Sequence, residues 1–440
     1  MKVNKWTMGL AALGLVSIPA VTSAEEGKAN GVLTALSSTT ISGYVNTSIH
    51  WNTGTGNDFL PSHSYRTGEK ADGFNLDVVK LAIEKPLDEA QWAAGYKAEL
   101  LFGGDARAFG TTLNSGGTVN NGDEDTFDGT GSAAGIKQAY VALRAPIGNG
   151  LDFKVGVFDT VIGYETFDAG SNPNYTRSYG FLIEPTTHTG VLATYQLCKS
   201  VSVSAGIANT VGPVIDQKAW PSKSETYKTY MASIAITAPD DWGFLSGSTI
   251  YGGIVNGYNA SANWDSVNYY AGATLNTPIT NLRLGAAFDY LYTTQFGAGS
   301  SDNDGNAAVL ALYASLQATE KLSIHLRGEY AETDTSLFGT QAVDTDQIEG
   351  DGDAGSGSFE GIVGGNSKIL ALTTTLQYDL WNNVISRLEI RWDHQAGDGG
   401  MRGWGNAEPV AGGALGAEPV PDTGDQRNNV LIAANIIYKF

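Results

Sequence analysis

Short segments in which apolar and polar residues alternate repeat from about residue 40 to the end of the chain, separated by clusters of turn residues. Segment 41–52 shows the pattern well. Its apolar face carries Ile41, Val45, Ile49 and Trp51, and its polar face carries Ser42, Asn46, Ser48 and His50. Because successive side chains of a strand point to opposite faces, each segment predicts a strand with one apolar and one hydrated face.

The number and spacing of these segments predict an all-β fold, a transmembrane antiparallel β-barrel of about 16 strands. The predicted strands are 41–52, 74–86, 91–103, 136–146, 150–160, 188–198, 200–210, 227–238, 245–257, 265–277, 281–294, 306–318, 321–333, 366–379, 383–395 and 428–440. Short turns alternate with long loops, which is typical of a barrel with a periplasmic and an extracellular rim. The long loops include 53–73, 104–135, 161–187, 334–365 and 396–427.

Charged side chains decide which face of each strand points inward. Between residues 384 and 393 the odd positions include Arg387, Glu389 and Arg391, whereas the even positions include Leu388 and Ile390. Turning the odd face to lipid would cost about 2–4 kcal/mol for each arginine near the middle of the bilayer. We therefore predict a hydrated lumen lined by Lys97, Glu99, Arg144, Arg283, Asp289, Arg327, Glu329, Arg387, Glu389 and Arg391.

Aromatic residues near the strand ends predict girdles at the two membrane interfaces. These residues are Trp92, Trp242 and Trp381 at short turns, and Trp51, Tyr292 and Trp392 toward long loops. The alternative is a β-sandwich in which the aromatic residues pack a soluble core. A filled core would not tolerate so many inward charges.

The first 24 residues have the layout of a secretory signal peptide, in which Lys2 and Lys5 precede an apolar stretch and Ala24 ends a run of small residues. Residues 25–440 are then expected to form a single barrel domain. No later segment has the roughly 20 consecutive apolar residues that a transmembrane helix needs.

Composition excludes several other classes of protein. The formal charge of −20, from 46 acidic and 26 basic residues, disfavours nucleic acid as a partner. Cys198 is the only cysteine, so one chain can form neither an internal disulfide nor a Cys-based zinc site. The acidic runs 123–128 and 344–353 do not have the spacing of a calcium-binding EF-hand, and we predict no metal site and no cofactor.

Three stretches between residues 155 and 192 carry a family resemblance. They are VGVFDTVIGYE at 155–165, NPNYTRSY at 172–179 and PTTHTGVL at 185–192. The chain resembles the β-barrel porin family described as OmpL-like. The resemblance implies an outer-membrane porin, a water-filled channel for passive diffusion of small hydrophilic solutes and ions. The alternating last strand ends in Phe440, which resembles the C-terminal signal read by the barrel insertion machinery.

The likeness to general porins implies a role for the third long loop, 161–187, which would fold into the barrel and narrow the pore. The residues concerned are Tyr164, Glu165, Asp168, Asn174, Arg177 and Tyr179. The alternative is an outward loop packed on its neighbours. A basic wall facing Glu165 and Asp168 would create a transverse field, whereas local ion pairing along the strands is the alternative. The likeness also suggests a homotrimer in outer-membrane lipid.

Other functions stay open at this point. The acidic loops would raise the cation concentration at the mouth, so a pore would have a weak preference for cations. A substrate-specific channel for sugars or other small solutes, and a plugged structural or adhesin barrel, are alternatives. An enzyme is not predicted, because no serine lies in a nucleophile-elbow pattern. The adjacent Asp393 and His394 point to opposite faces of a strand, and His325 with Glu329 is more simply a pore-lining pair.

Overall fold

The computed structural model describes residues 39–54, 59–61, 70–108, 111, 133–219, 225–258, 265–294, 305–333, 341–342, 367–396, 403–409, 421–424 and 426–440. Within these ranges, 16 antiparallel strands close into a barrel. The barrel strands are β1 Thr40–Asn52, β2 Phe74–Lys85, β3 Ala94–Gly103, β4 Ala133–Ala145, β5 Leu151–Asp159, β6 Thr187–Cys198, β7 Val201–Ala208, β8 Thr229–Thr237, β9 Thr249–Tyr258, β10 Asp265–Asn276, β11 Leu282–Thr293, β12 Gly305–Gln317, β13 Leu322–Thr333, β14 Ser367–Trp381, β15 Val384–Gln395 and β16 Asn428–Lys439.

The sixteen predicted strands are confirmed, and no predicted boundary differs from the observed one by more than four residues. Each strand pairs with its neighbours in the chain, and β1 pairs with β16 from Tyr44↔Lys439 to Asn52↔Leu431. Gly43 and Phe440 exchange two backbone hydrogen bonds of 3.0 Å at this seam. The last residue of the chain therefore takes part in closing the barrel. The predicted signal peptide, 1–24, and the acidic runs 123–128 and 344–353 lie outside the described residues.

Strand β15 has the register that its charges predict. Leu388 and Ile390 are 47% and 51% exposed on the outer surface, whereas Arg387, Glu389 and Arg391 are buried inside the barrel. The predicted rim aromatics lie on the outer surface at the strand ends, where Trp51, Trp92, Trp242 and Trp381 are all well exposed. None of the described helices is long and apolar enough to cross a membrane.

A β-bulge in β2 turns an additional carboxylate inward. Asn46 of β1 pairs with Val78 and Thr47 pairs with Leu76, so Asp77 is the unpaired extra residue. Both Asp77 and Val78 are buried inside the barrel. Regular alternation would send Asp77 to the lipid face, because its neighbour Val78 points inward. The bulge interrupts the period of two and lets both side chains point inward.

Strand β4 contains a second bulge, at Lys137. Glu99 of β3 pairs with Gln138 and Leu100 pairs with Ile136, so Lys137 is again the extra residue. Lys137 and Gln138 are both buried on the inner side. The two bulges therefore add one carboxylate and one ammonium group to the lumen beyond those that alternation predicts.

Residues 160–186, which we call the inner loop, connect β5 to β6. The inner loop contains a 3-10 turn, Ala169–Ser171, and a short helix, Tyr179–Ile183. The Ser178 hydroxyl accepts a hydrogen bond from the Phe181 amide, which caps the helix. Three other long loops contribute a small four-stranded sheet that is separate from the barrel sheet. Its strands are Phe59–Leu60, Gln341–Ala342, Gly403–Pro409 and Pro421–Gly424.

Candidate functional site

The inner loop contacts strands on opposite sides of the barrel. The Tyr175 hydroxyl lies 2.7 Å from His50 Nε2 on β1 and 3.1 Å from Asp77 Oδ1 on β2. On the other side, Asn268 Nδ2 of β10 donates a 2.7 Å hydrogen bond to the Ile183 carbonyl. At least six strands separate β1 from β10 in either direction around the ring. The inner loop therefore crosses the lumen.

Carboxylates of the barrel and of the loop bind the backbone of residues 174–179, which we call the anchor segment. The amides of Tyr175 and Thr176 donate to the two carboxylate oxygens of Glu389, at 2.6 and 2.9 Å. The Ser178 amide donates to Glu165 at 2.8 Å, and the Tyr179 amide donates to Glu329 at 2.7 Å. Hydrogen bonds to charged groups contribute more to stability than those between neutral groups. Four amides within five residues are thus fixed by three carboxylates.

Arg327 of β13 binds the same segment and neutralises two of these carboxylates. Its side chain is fully buried and donates to Glu165 at 2.8 Å and to Glu329 at 2.7 Å. It also donates to the carbonyls of Thr176 at 2.7 Å and Arg177 at 3.2 Å. The planar guanidinium has five N–H donors, so one side chain can serve all of these acceptors.

Arg391 of β15 provides a second contact of this kind. Its guanidinium pairs with Asp393 at 2.9 Å and donates to the Arg177 carbonyl at 2.7 Å. It also lies 5.0 Å from the ring centre of Tyr179, whose hydroxyl donates to Asp393 at 2.9 Å. Arg387 donates to the carbonyls of the 3-10 turn region, at Ala169 and Asn172. The predicted wall arginines of β13 and β15 thus bind the inner loop.

The charged residues predicted for a constriction are paired locally. Glu165 accepts from Arg327, as described, and Asp168 accepts from Lys80 of β2 at 2.7 Å. Arg177 points back into the loop and donates to the carbonyls of Tyr175 and Phe167, each at 2.8 Å. The geometry favours local ion pairing over a transverse field between an unpaired basic wall and free acidic residues.

The remaining predicted loop residues contact the barrel directly. Asn174 donates to the Thr375 hydroxyl of β14 at 2.7 Å. The Tyr164 ring stacks on Tyr313 of β12, with 4.1 Å between ring centres. Beside it, the loop residues Val161 and Ile162 pack against apolar inward residues. These wall residues include Leu192, Met231, Val255 and Tyr270. Part of the loop is therefore held by apolar contacts that the polar-lumen pattern does not predict.

A lysine cluster surrounds Glu99 on the inner face of β3. The Glu99 carboxylate lies 3.0 Å from Lys80, 3.2 Å from Lys97 and 3.3 Å from Lys137. Sequence reasoning placed Lys97 and Glu99 in the lumen but missed Lys137, as it missed Asp77. The sequence nevertheless contains a signal for both inward positions. Lys137 is seven residues from Arg144 and Asp77 is three from Lys80; such odd separations put both charges on one face only if a bulge intervenes.

The remaining predicted wall residues are Arg144, Arg283 and Asp289. Arg144 binds Asp152 at 2.6 Å near the short turn between β4 and β5, and Arg283 lies half-buried at the start of β11. Asp289 of β11 shares a hydrogen bond with Glu184, at the end of the inner loop. Burial and the Asp289 carboxyl together raise the pKa of Glu184 well above its usual value.

This carboxyl pair makes the loop contact sensitive to pH. Below the raised pKa one proton joins the two groups. As the pH rises through the pKa of Glu184, the Glu184 and Asp289 carboxylates are both charged and repel each other. Glu165 adds further negative charge. We expect the channel conductance, recorded in planar bilayers, to increase on the alkaline side as this contact is lost. Glu184→Gln should remove most of the increase, because an amide donates to Asp289 at every pH.

Glu84→Gln is the matched control, since Glu84 lies 3.5 Å from Lys97 and is partly exposed. It should leave the alkaline response unchanged. An unaltered response in Glu184→Gln would show that another group is responsible.

Within the described ranges, no group of three or more histidine, cysteine, aspartate or glutamate side chains is placed to hold a metal ion. The carboxylates of the site are instead paired with arginine, lysine and backbone amides. What the arrangement can do is fix a peptide segment across the barrel.

Comparisons with known proteins match the chain to one family and to solved outer-membrane barrels. The sequence model of the family described as "Putative beta-barrel porin-2, OmpL-like" matches residues 38–440. No curated protein matches the chain. The outer membrane channel DcaP of Acinetobacter baumannii has a similar structure, with a TM-score of 0.53 and 12% identity, over 91% of this chain and 97% of that one.

The OmpF protein of Salmonella typhi, solved in complex with daunomycin, also has a TM-score of 0.53, with 9% identity over 91% of this chain and 97% of its own. At such identities the likeness shows the fold alone. The family match covers the whole barrel, and it indicates a channel of the outer membrane. The chain belongs to the OmpL-like β-barrel porin family.

Proposed function

We propose that the barrel is a pore for passive diffusion of small hydrophilic solutes and ions, and that the inner loop sets its cross-section. The observation that carries the proposal is the anchor segment, whose backbone is bound by Glu165, Glu329 and Glu389 inside a barrel with a charged wall. So many charged contacts hold the loop in one position, which gives the passage a fixed size limit.

The passage itself would run beside the loop. Arg327 and Arg391 are fully buried beneath the anchor segment, whereas Lys97, Lys154 and Arg283 on other strands remain partly exposed. Charged side chains that stay accessible inside a barrel imply water around them, since dry burial of a charge is costly. The six proposed constriction residues act by shaping this passage.

A weak preference for cations is part of the proposal. It rests on the acidic runs 123–128 and 344–353 in the long loops, because the inward charges are close to balanced. Purified protein in a planar bilayer should give discrete conductance steps. A KCl gradient should give a reversal potential of cation sign, and proteoliposomes should swell in small sugars but not in large ones.

A reversal potential of anion sign would remove the selectivity claim and leave the pore. The absence of any conductance from folded protein would instead favour a plugged structural or adhesin barrel. The packing of Val161 and Ile162 against the inner wall is the observation that favours this second candidate. Saturation of sugar uptake at low concentration would indicate a substrate-specific channel.

We further propose that the barrel assembles as a homotrimer in outer-membrane lipid and that the insertion machinery reads Phe440. The support for the second point is local: Phe440 completes the β1–β16 seam through its backbone contacts with Gly43.

A further inference from the structure

The inner wall has an apolar recess near the extracellular end of three neighbouring strands. Its residues are Ala307 and Val309 of β12, Ala331 of β13, and Ile369 and Ala371 of β14. Val309 pairs with Ala331, which pairs in turn with Ile369, so the side chains form one continuous row. Most of them are small. A hydrated lumen has no need of such a row, because polar side chains line water at lower cost.

Trp404, from the long loop between β15 and β16, fills this recess. It is 0% exposed and packs in one cluster with the recess and with Tyr179 and Ile183 of the inner loop. Its indole Nε1 is buried and has no hydrogen-bond partner in the structure that is described. A buried N–H that lacks an acceptor is a cost that a purely structural tryptophan would normally avoid.

We propose that the recess is a binding subsite for the planar aromatic ring of a solute, which exchanges with Trp404. The inference rests on the proposed channel function and names one solute class for it. The small side chains at Ala307, Ala331 and Ala371 leave the space that a flat ring now occupies. A phenyl ring has no N–H to leave unpaired, so it fills the recess at a lower cost than the indole. Its polar part would remain in the hydrated lumen.

The experiment compares L-phenylalanine with L-isoleucine, two zwitterions that differ in having a planar ring or a branched alkyl group. Each is titrated against the K⁺ current of the wild type and of Trp404→Ala. Without the competing indole, phenylalanine should reach half-block at a concentration about two- to tenfold lower, with little change for isoleucine. The double variant Trp404→Ala/Ala331→Leu refills the recess and should lose the gain.

A second readout does not depend on conduction. Phenylalanine should raise the unfolding temperature of Trp404→Ala but not that of the double variant. Equal half-blocking concentrations in the wild type and Trp404→Ala, or equal unfolding shifts in Trp404→Ala and the double variant, would overturn the subsite. A wild-type barrel that carries no current would overturn the proposed pore, and the unfolding temperatures would then decide the subsite alone.

Discussion

Replacing Arg327 with methionine is expected to destabilise the barrel by about 3–5 kcal/mol, the usual cost of removing one partner from a buried ion pair. Methionine preserves much of the side-chain volume but none of the donors. Glu165 would lose its guanidinium and Glu329 would keep only the more distant one, that of Arg391 at 3.5 Å. The carbonyls of Thr176 and Arg177 would also lose a donor inside the protein. Urea titration in detergent, followed by tryptophan fluorescence, measures the loss.

The same change should alter the current through the pore. An anchor segment that has lost Arg327 is held less firmly by the carboxylates, which now repel each other, so the open-channel current should become larger and noisier. Arg144→Met is the matched control. Arg144 also pairs with a carboxylate, Asp152, but lies near the rim and is partly exposed. Its loss should cost only about 0–1 kcal/mol and leave the current steady. Equal effects of the two substitutions would mean that the buried pairing does not hold the loop.

The barrel could be predicted because its strands obey a local rule. A period of two, combined with the cost of placing Arg387 or Arg391 in lipid, fixes both the existence and the register of β15. The same reasoning succeeded around the ring because each strand pairs only with its neighbours in the chain or, at the seam, with the other terminus. No long-range information was needed beyond closure.

The bulges could have been predicted but were missed because regular alternation was assumed. Asp77 departs from the alternation of β2 by one residue. A single out-of-phase charge is easily overlooked when the rest of the strand is regular. Asking where the charge could go in lipid is more informative, because an outward Asp77 or Lys137 would be costly. The inward position then requires a bulge.

The contacts of the inner loop could not have been predicted in this way. Glu389 binds the amide of Tyr175, 214 residues away, and Arg327 binds Glu165 across 162 residues. No periodicity relates such pairs, and each charge has several possible partners. The position of Trp404 is equally hard to predict. The row that receives it is built mostly of alanine and valine, and in β12 both faces of the AAVLALY run are apolar. Only the assembled barrel shows which face is inward.

Deleting Asp168 to Tyr179 should give the largest change in permeability, a severalfold rise in conductance and entry of larger sugars. The deletion removes the 3-10 turn and the anchor segment, which cross the lumen. The barrel should still fold, because its backbone ladder lies in the sixteen strands. Glu329, Glu389 and Arg327 would then face water, so their charges are solvated instead of orphaned. Single-channel recording and liposome swelling measure the two effects.

Deleting residues 343–354 is the matched control, since it also removes twelve residues from a long loop and takes away five acidic residues of the run 344–353. If the inner loop sets the size of the passage and the acidic loops set its charge preference, the two deletions separate these roles. The first should change the size limit with little effect on the reversal potential. The second should shift the reversal potential toward zero at the original size limit. A size limit that stays the same without Asp168 to Tyr179 would show that the passage is narrowest elsewhere, for example where Val161 and Ile162 pack against the wall.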